Sequence, residues 1–224
     1  MLPPTLRSRE GCRFLLILLI LTFTRASDVQ PSFPMSFSAT VVTTAHLLPE
    51  NISYPPREKV VKVMYDRARG KAMFVIEKGL DAGKTFYRDF KGENEYLIKY
   101  SSKKTCQRSW LGTPMPPIEL PKMIDIGETE ISGKECTHWV RDEGTERIHM
   151  WFTKEEGTPM RLTHEHVGED GVSEPTMTYD IKDFTEGVGD FGLEGVEGDW
   201  KHENCERFVG GWPWVHLWHY YWRV

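Results

Sequence analysis

The chain has 224 residues, of which 27% are charged and 39% hydrophobic, and it carries a formal net charge of −5. An acidic chain is a poor partner for nucleic acid, which selects basic surfaces, so we expect no nucleic-acid ligand. The length suits one domain with a substantial core.

Residues 1–26 have the features of a secretory signal peptide. Three arginines lie in the first 13 residues, an apolar run of ten occupies residues 14–23, and Thr24-Arg25-Ala26 offers a cleavage site. An uncleaved anchor, the alternative, needs about 20 apolar residues. We therefore predict a secreted protein, extracellular or in the endomembrane lumen, that starts near Ser27. The leader's four Arg and one Glu leave this mature chain with a net charge near −8.

Period-two alternation of apolar residues predicts a series of β-hairpins. The clearest hairpin spans residues 59–77, where two alternating runs flank a turn that ends at Gly70, a residue able to adopt a positive φ. No window of twelve residues has a clean helical period. We predict an all-β protein of about ten strands, with at most one short helix, built as one curved antiparallel sheet. The remaining predicted strands are Ser36–Thr44, Thr85–Phe90, Glu95–Tyr100, one around Cys106, Gly127–Ile131, Cys136–Asp142, Arg147–Thr153, Pro159–Val167 and Thr176–Phe184.

Three cysteines remain after removal of the leader: Cys106, Cys136 and Cys205. In a secreted chain an odd count implies one disulfide and one thiol, and three pairings are open. No two of these cysteines lie closer than thirty residues, so a zinc site built on them is not supported.

One further modification is predicted from a short motif. Asn51-Ile52-Ser53 is an N-glycosylation acceptor, and it lies in a proline-rich loop from which a glycan would project. We therefore predict a glycan on Asn51.

Three stretches resemble the secreted LolA-like domain related to ependymin. They are YDRARGKAMF at Tyr65–Phe74, Thr105-Cys106 at the end of the meander, and ISGKECTHW at Ile131–Trp139. The resemblance covers residues 37–205. In some eukaryotic proteins such a domain precedes a papain-type protease, but no element of that protease is found here.

The resemblance implies a strongly curved antiparallel meander, or half-open barrel, whose apolar cup takes lipids or other hydrophobic molecules. It also implies a disulfide between Cys106 and Cys205. Ependymin-like chains usually carry more cysteines, so the role of Cys136 is left open. The implied organisation is a signal peptide at 1–26, a β domain at 27–205 and an aromatic tail at 206–224.

The cup would be lined by apolar residues of the strands, although alternation alone cannot tell which face is concave. The candidates are Val63, Phe74, Ile76, Tyr96, Ile98, Trp139 and Phe152.

The C-terminal tail is rich in aromatic residues, among them Trp212, Trp214, Trp218 and Trp222. Three roles are open for it: a plug over the open side of the cup, a contact with a membrane surface, or a docking site for an extracellular protein. The tail is too short to span a bilayer.

Candidate catalytic and metal-binding groups are weak. His164 and His166 share a strand face, and zinc could use them with His138 or His149, but only two ligands are indicated. Cys136 lies two residues from His138 without a third group to orient the imidazole. No nucleophile or phosphate-binding motif is present. We expect no metal, no cofactor and no enzymatic activity.

The sequence thus predicts a secreted, non-enzymatic protein that holds a lipid or other hydrophobic ligand in the cup of a curved β-sheet. The alternative is an extracellular interaction or matrix glycoprotein that uses its surface and aromatic tail.

Overall fold

The structure, a computed structural model, describes residues 30–46, 58–100, 104–115, 120, 122–196 and 200–212. Within these ranges the only helical elements are two single 3-10 turns, and no helix has the length or apolar character of a membrane span. The twelve strands are β1 (Ser36–Ala45), β2 (Glu58–Asp66), β3 (Lys71–Lys78), β4 (Lys84–Asp89), β5 (Asn94–Lys99), β6 (Thr105–Trp110), β7 (Ile124–Ile131), β8 (Lys134–Asp142), β9 (Glu146–Thr153), β10 (Pro159–Val167), β11 (Ser173–Glu186) and β12 (Glu206–Arg207).

All twelve strands belong to one sheet, in the order β12-β6-β5-β4-β3-β2-β1-β11-β10-β9-β8-β7. Every neighbouring pair is antiparallel except β12 and β6. The sheet is curved and does not close, so β12 and β7 are its two edges. The predicted fold class is therefore confirmed, with twelve strands in place of about ten.

The hairpin at residues 59–77 forms as predicted. Gly70 has φ of 70°, and its backbone N–H donates to the carbonyl of Arg67 at 3.1 Å. The Asp66 carboxylate accepts the backbone N–H of Arg69 at 2.9 Å, which fixes the turn. The register pairs Val63 with Phe74, so the apolar residues of both strands meet on one face.

The sheet curls toward the face that carries Phe37 and Phe152. The ring of Phe33, which precedes β1, lies 5.6 Å from the ring of Phe37 and 6.1 Å from that of Phe152. These two partners lie on β1 and β9, three strand spacings apart, which is about 14 Å in a flat sheet. A single ring reaches both because the sheet bends around it. We call this surface the concave face.

A large apolar cluster covers the concave face and draws on β1 to β5 and β8 to β11. Its members are Phe33, Phe37, Ala39, Val41, Val63, Tyr65, Ala72, Phe74, Ile76, Phe86, Leu97, Leu120, Met123, Trp139, Ile148, Met150, Phe152, Leu162, Tyr179, Ile181 and Trp212.

A second cluster buries the opposite face of β3 to β6 beneath Phe191, Leu193, Val196 and Cys205. Its members are Met73, Tyr87, Tyr96, Ile98, Cys106, Phe191, Leu193, Val196 and Cys205. Because both faces are covered, β4 and β5 each carry four consecutive buried residues.

Candidate functional site: the concave face and its cleft

Five of the seven predicted cup residues line the concave face. Val63, Phe74, Ile76, Trp139 and Phe152 all belong to its apolar cluster and are buried. The pairing of β2 with β3 and of β8 with β9 brings them to one side of the sheet.

The assignment of Tyr96 and Ile98 to the cup is wrong. In the register of β4 and β5, Phe86 of the concave cluster pairs with Leu97. Neighbouring residues of a strand point to opposite faces, so Tyr96 and Ile98 lie in the second cluster. Leu97 is the concave residue of β5 that the sequence analysis missed.

Residues from outside the long strands cover the concave face. Phe33 comes from the segment before β1, Leu120 and Met123 lie between β6 and β7, and Trp212 follows β12. All four side chains are buried. The concave face is therefore occupied by side chains of connecting and terminal segments.

Trp212 is the best-defined of these covering residues. Its ring lies 6.4 Å from that of Phe86, edge to face, and stacks on Phe208 at 5.3 Å. Its backbone N–H donates to the carboxylate of Glu95. Residues 206–212, predicted as the start of a separate tail, thus contribute a strand and a core residue to the β domain.

Several predicted sites lie in segments that the structure does not describe. Trp214, Trp218 and Trp222 lie outside the described residues, as do Asn51 and the signal peptide. Their predicted roles stay predictions.

A cleft of about 600 Å³ opens beside Trp212. One wall is the end of β6 with Trp110, and the other is the segment Arg207–Gly211. Trp110 is 71% exposed and Val209 is 90% exposed, so apolar side chains lie in contact with water beside a lining that also includes polar residues. Sequence analysis missed it because its walls are about 100 residues apart in the chain.

A buried ion pair lies on the concave face, and one of its partners, Glu95, also lines this cleft. Arg88 Nη2 is 3.3 Å from Glu95 Oε2, and both side chains are almost fully buried. Burial lowers the pKa of Arg88 to about 10 and raises the pKa of Glu95, despite their mutual attraction. Burial thus disfavours the charged form of both groups, and their attraction opposes it.

The disulfide joins Cys106 to Cys205, with 4.7 Å between the two Cα atoms, so the pairing implied by the family resemblance is confirmed. It fastens the C-terminal segment to β6 just before β12 begins. Cys136 is a buried thiol whose pKa is raised by burial, as expected for a structural cysteine.

The predicted histidines lie on opposite faces of the sheet. His164 pairs with Ile148 of the concave cluster, and its Nδ1 lies 2.9 Å from Thr176 Oγ1. His149 pairs with Thr163, the neighbour of His164, and so faces outward. In the part of the chain that the structure describes, no three His, Cys, Asp or Glu side chains converge to hold a metal.

The outward histidines form a small network of their own. His138 Nε2 lies 2.8 Å from His149 Nδ1, and His149 Nε2 lies 3.1 Å from a carboxylate oxygen of Glu165. The indole of Trp151 stacks on His138 at 4.3 Å. Burial and the neighbouring His149 lower the pKa of His138 to about 4.

Comparison with known proteins supports the fold only. No family model and no curated protein sequence matches the chain. A solved structure described as an uncharacterized conserved protein from Thermus thermophilus is similar, with a TM-score of 0.51 and 11% identity over 80% of this chain and 92% of that one.

Two looser similarities carry no argument about function. PNGF-II matches with a TM-score of 0.37 and 6% identity, over 84% of this chain and 34% of its own. MucB, solved in complex with MucA(peri), matches with a TM-score of 0.33 and 11% identity, over 76% of this chain and 56% of its own. No family model or curated sequence supports the LolA-like resemblance, which stays a prediction.

Proposed function

We propose that the protein is a non-enzymatic binding protein that holds a lipid or another hydrophobic molecule against the concave face. The observation that carries this proposal is how that face is closed. Its strands present a large apolar surface, interrupted by the Arg88–Glu95 pair, and Phe33, Leu120, Met123 and Trp212 from outside the long strands cover it. Such covering residues can be exchanged for a ligand without breaking the sheet.

The cleft beside Trp212 is the proposed entrance. Its exposed apolar residues, Trp110, Phe208 and Val209, would contact an incoming chain before Trp212 moves. Displacing Trp212 replaces one apolar contact on Phe86 by another, so most of the lost burial is recovered by the ligand. Covering exposed apolar side chains at the mouth adds a favourable contribution of about 25 cal/mol per Å².

Secretion is part of the same proposal. A structural disulfide persists in oxidising compartments, and the Cys106–Cys205 bond fits that setting. A secreted carrier would meet its ligand outside the cytosol.

The test combines extraction with site-specific quenching. Native mass spectrometry before and after organic extraction detects a co-purified lipid, and titration with a brominated fatty acid then locates binding. The bromine atoms quench the fluorescence of nearby tryptophans. We expect the quenched fraction of tryptophan fluorescence to decrease in Trp139→Phe, because Trp139 lies on the concave face. It should be unchanged in Trp151→Phe, the matched control on the outer face. A protein that yields no lipid and binds no fatty acid would refute the proposal.

The alternative function is an extracellular interaction or matrix glycoprotein that docks through its aromatic tail. Trp212 is buried on the concave face, so this role would fall to Trp214, Trp218 and Trp222. A chain truncated after Trp212 separates the two. The proposed carrier retains lipid binding, whereas the alternative predicts loss of partner capture with folding intact.

A further inference from the structure

Among the described residues, the strand β7 is an edge of the sheet. It is the last strand in the sheet order, and six of its eight residues are exposed. At the opposite edge, only the two-residue strand β12 is present. Among the strands that the structure describes, β7 therefore offers the long unpaired edge, and such edges are templates for strand addition.

The register identifies the backbone groups that β7 presents. Ile131 and Lys134 flank a two-residue turn at Ser132-Gly133, with φ of 53° and 80°, as in a type I′ hairpin. Residues flanking such a turn bond to each other, and bonding alternates along the strand. The N–H and C=O groups of Glu128 and Glu130 consequently point away from β8.

The charges of the side chains along this edge favour a basic partner. Glu130 lies directly opposite Glu135 in the pairing of β7 with β8, and like charges in that position repel. Lys154 Nζ lies 2.8 Å from Glu128, so one cation already lies nearby. A strand with cations opposite Glu128 and Glu130 would relieve the remaining repulsion.

Exposed apolar residues complete the surface. Ile124 is 66% exposed and pairs with Val140 on the outer face, and Ile126 is 54% exposed at the bulge between Asp125 and Gly127. The bulge confines regular pairing to residues 127–131. An added strand with apolar side chains on its second face would continue the outer face beside Thr129, next to the exposed Ile124.

We propose that β7 accepts an extended, alternately basic and apolar segment of a partner protein as a thirteenth strand. Basic residues face Glu128 and Glu130, and apolar residues lie on the opposite side, that of Thr129. A second copy of this chain is a poorer occupant, because β7 paired with itself would set glutamates against glutamates. The inference does not depend on ligand binding by the concave face.

The experiment uses a short fluorescein-labelled peptide that alternates lysine and valine. Binding is followed by fluorescence anisotropy, and amide hydrogen exchange follows residues 127–131. We expect salt-sensitive binding, with the amides of Glu128 and Glu130 becoming protected. The double variant Glu128→Gln/Glu130→Gln should bind several-fold more weakly. Glu203→Gln/Glu206→Gln, which removes the same charge from exposed sites at the other end of the sheet, should bind like the parent.

Backbone methylation of the peptide distinguishes a strand from a merely charged contact. In an antiparallel addition the lysines lie opposite Glu128 and Glu130, and their N–H groups bond to β7. N-methylation of the lysines should abolish binding, whereas N-methylation of the valines should not. Equal effects of the two peptides, or equal weakening by the control variant, would overturn the proposal. Self-association removed by Glu128→Pro would also overturn it, since it would assign the edge to a second copy.

Discussion

Arg88 and Glu95 face each other across β4 and β5 and form an ion pair on an otherwise apolar concave face. The same carboxylate accepts the backbone N–H of Trp212, so the pair also positions the residue that covers the face. Burial lowers the pKa of Arg88 and raises the pKa of Glu95, so it disfavours the charged form of each group. We infer that the pair serves positioning more than stability.

The first prediction concerns this pair. Glu95→Leu alone leaves a buried guanidinium without its carboxylate and should destabilise the protein by about 3–5 kcal/mol. The double variant Arg88→Met/Glu95→Leu should recover most of that loss. Urea denaturation measures both. A double variant as unstable as the single one would show that the pair is a net source of stability.

The second prediction concerns pH and His138. Its pKa is about 4 in the folded protein and about 6.5 in the unfolded chain, because folding buries the neutral ring beside His149. Between these values the unfolded chain binds more protons, so stability falls as the pH drops from about 6.5 to about 4. Above this range the contribution is fully present.

Removal of the titrating ring tests this. His138→Phe keeps an aromatic ring against Trp151 and should take up fewer protons on unfolding, by at most one, between pH 4 and 6.5. Denaturation midpoints across this range measure the slope. An unchanged slope would mean that the ring of His138 titrates alike in both states.

The third prediction concerns the disulfide. Cys106 and Cys205 are 99 residues apart, and closure of a loop of this length is worth about 4–5 kcal/mol in the chain-entropy account. Cys106→Ser/Cys205→Ser should lose stability on this scale and free residues 191–205 from the second cluster. Chemical denaturation with and without reductant measures this loss of stability. The reductant should destabilise the parent protein and have no effect on the variant. Limited proteolysis that fails to find new cuts between residues 191 and 205 would count against this role.

The fourth prediction concerns the turn between β7 and β8. Ser132 has φ of 53°, which costs a non-glycine residue about 1–2 kcal/mol, whereas asparagine tolerates it better. Ser132→Asn should therefore raise the thermal midpoint. Gly133→Ala should lower it through backbone strain alone, since no atom lies within 4 Å of an added Cβ. The thermal midpoints of the two variants, measured by thermal denaturation, should therefore shift in opposite directions.

The sequence predicts the fold where alternation is clean and fails where it is not. Residues 59–77 alternate clearly, and their hairpin forms as predicted. Tyr96-Leu97-Ile98 is apolar throughout, so only the register with β4 decides which residue faces the concave side. The cleft and β12 depend on a two-residue parallel pairing beside the disulfide, for which local sequence carries no pattern.

The position of β1 has a consequence for how the chain folds. β1 lies between β2 and β11, and Val41 pairs with Val61 on one side and with Ile181, 140 residues later, on the other. The hairpins on either side can form early from neighbouring residues, whereas the β1–β11 seam must close a long loop. During synthesis β1 keeps a bare edge until β11 has left the ribosome. Chains that end before β11 should therefore aggregate, while the β7–β11 meander folds from local contacts.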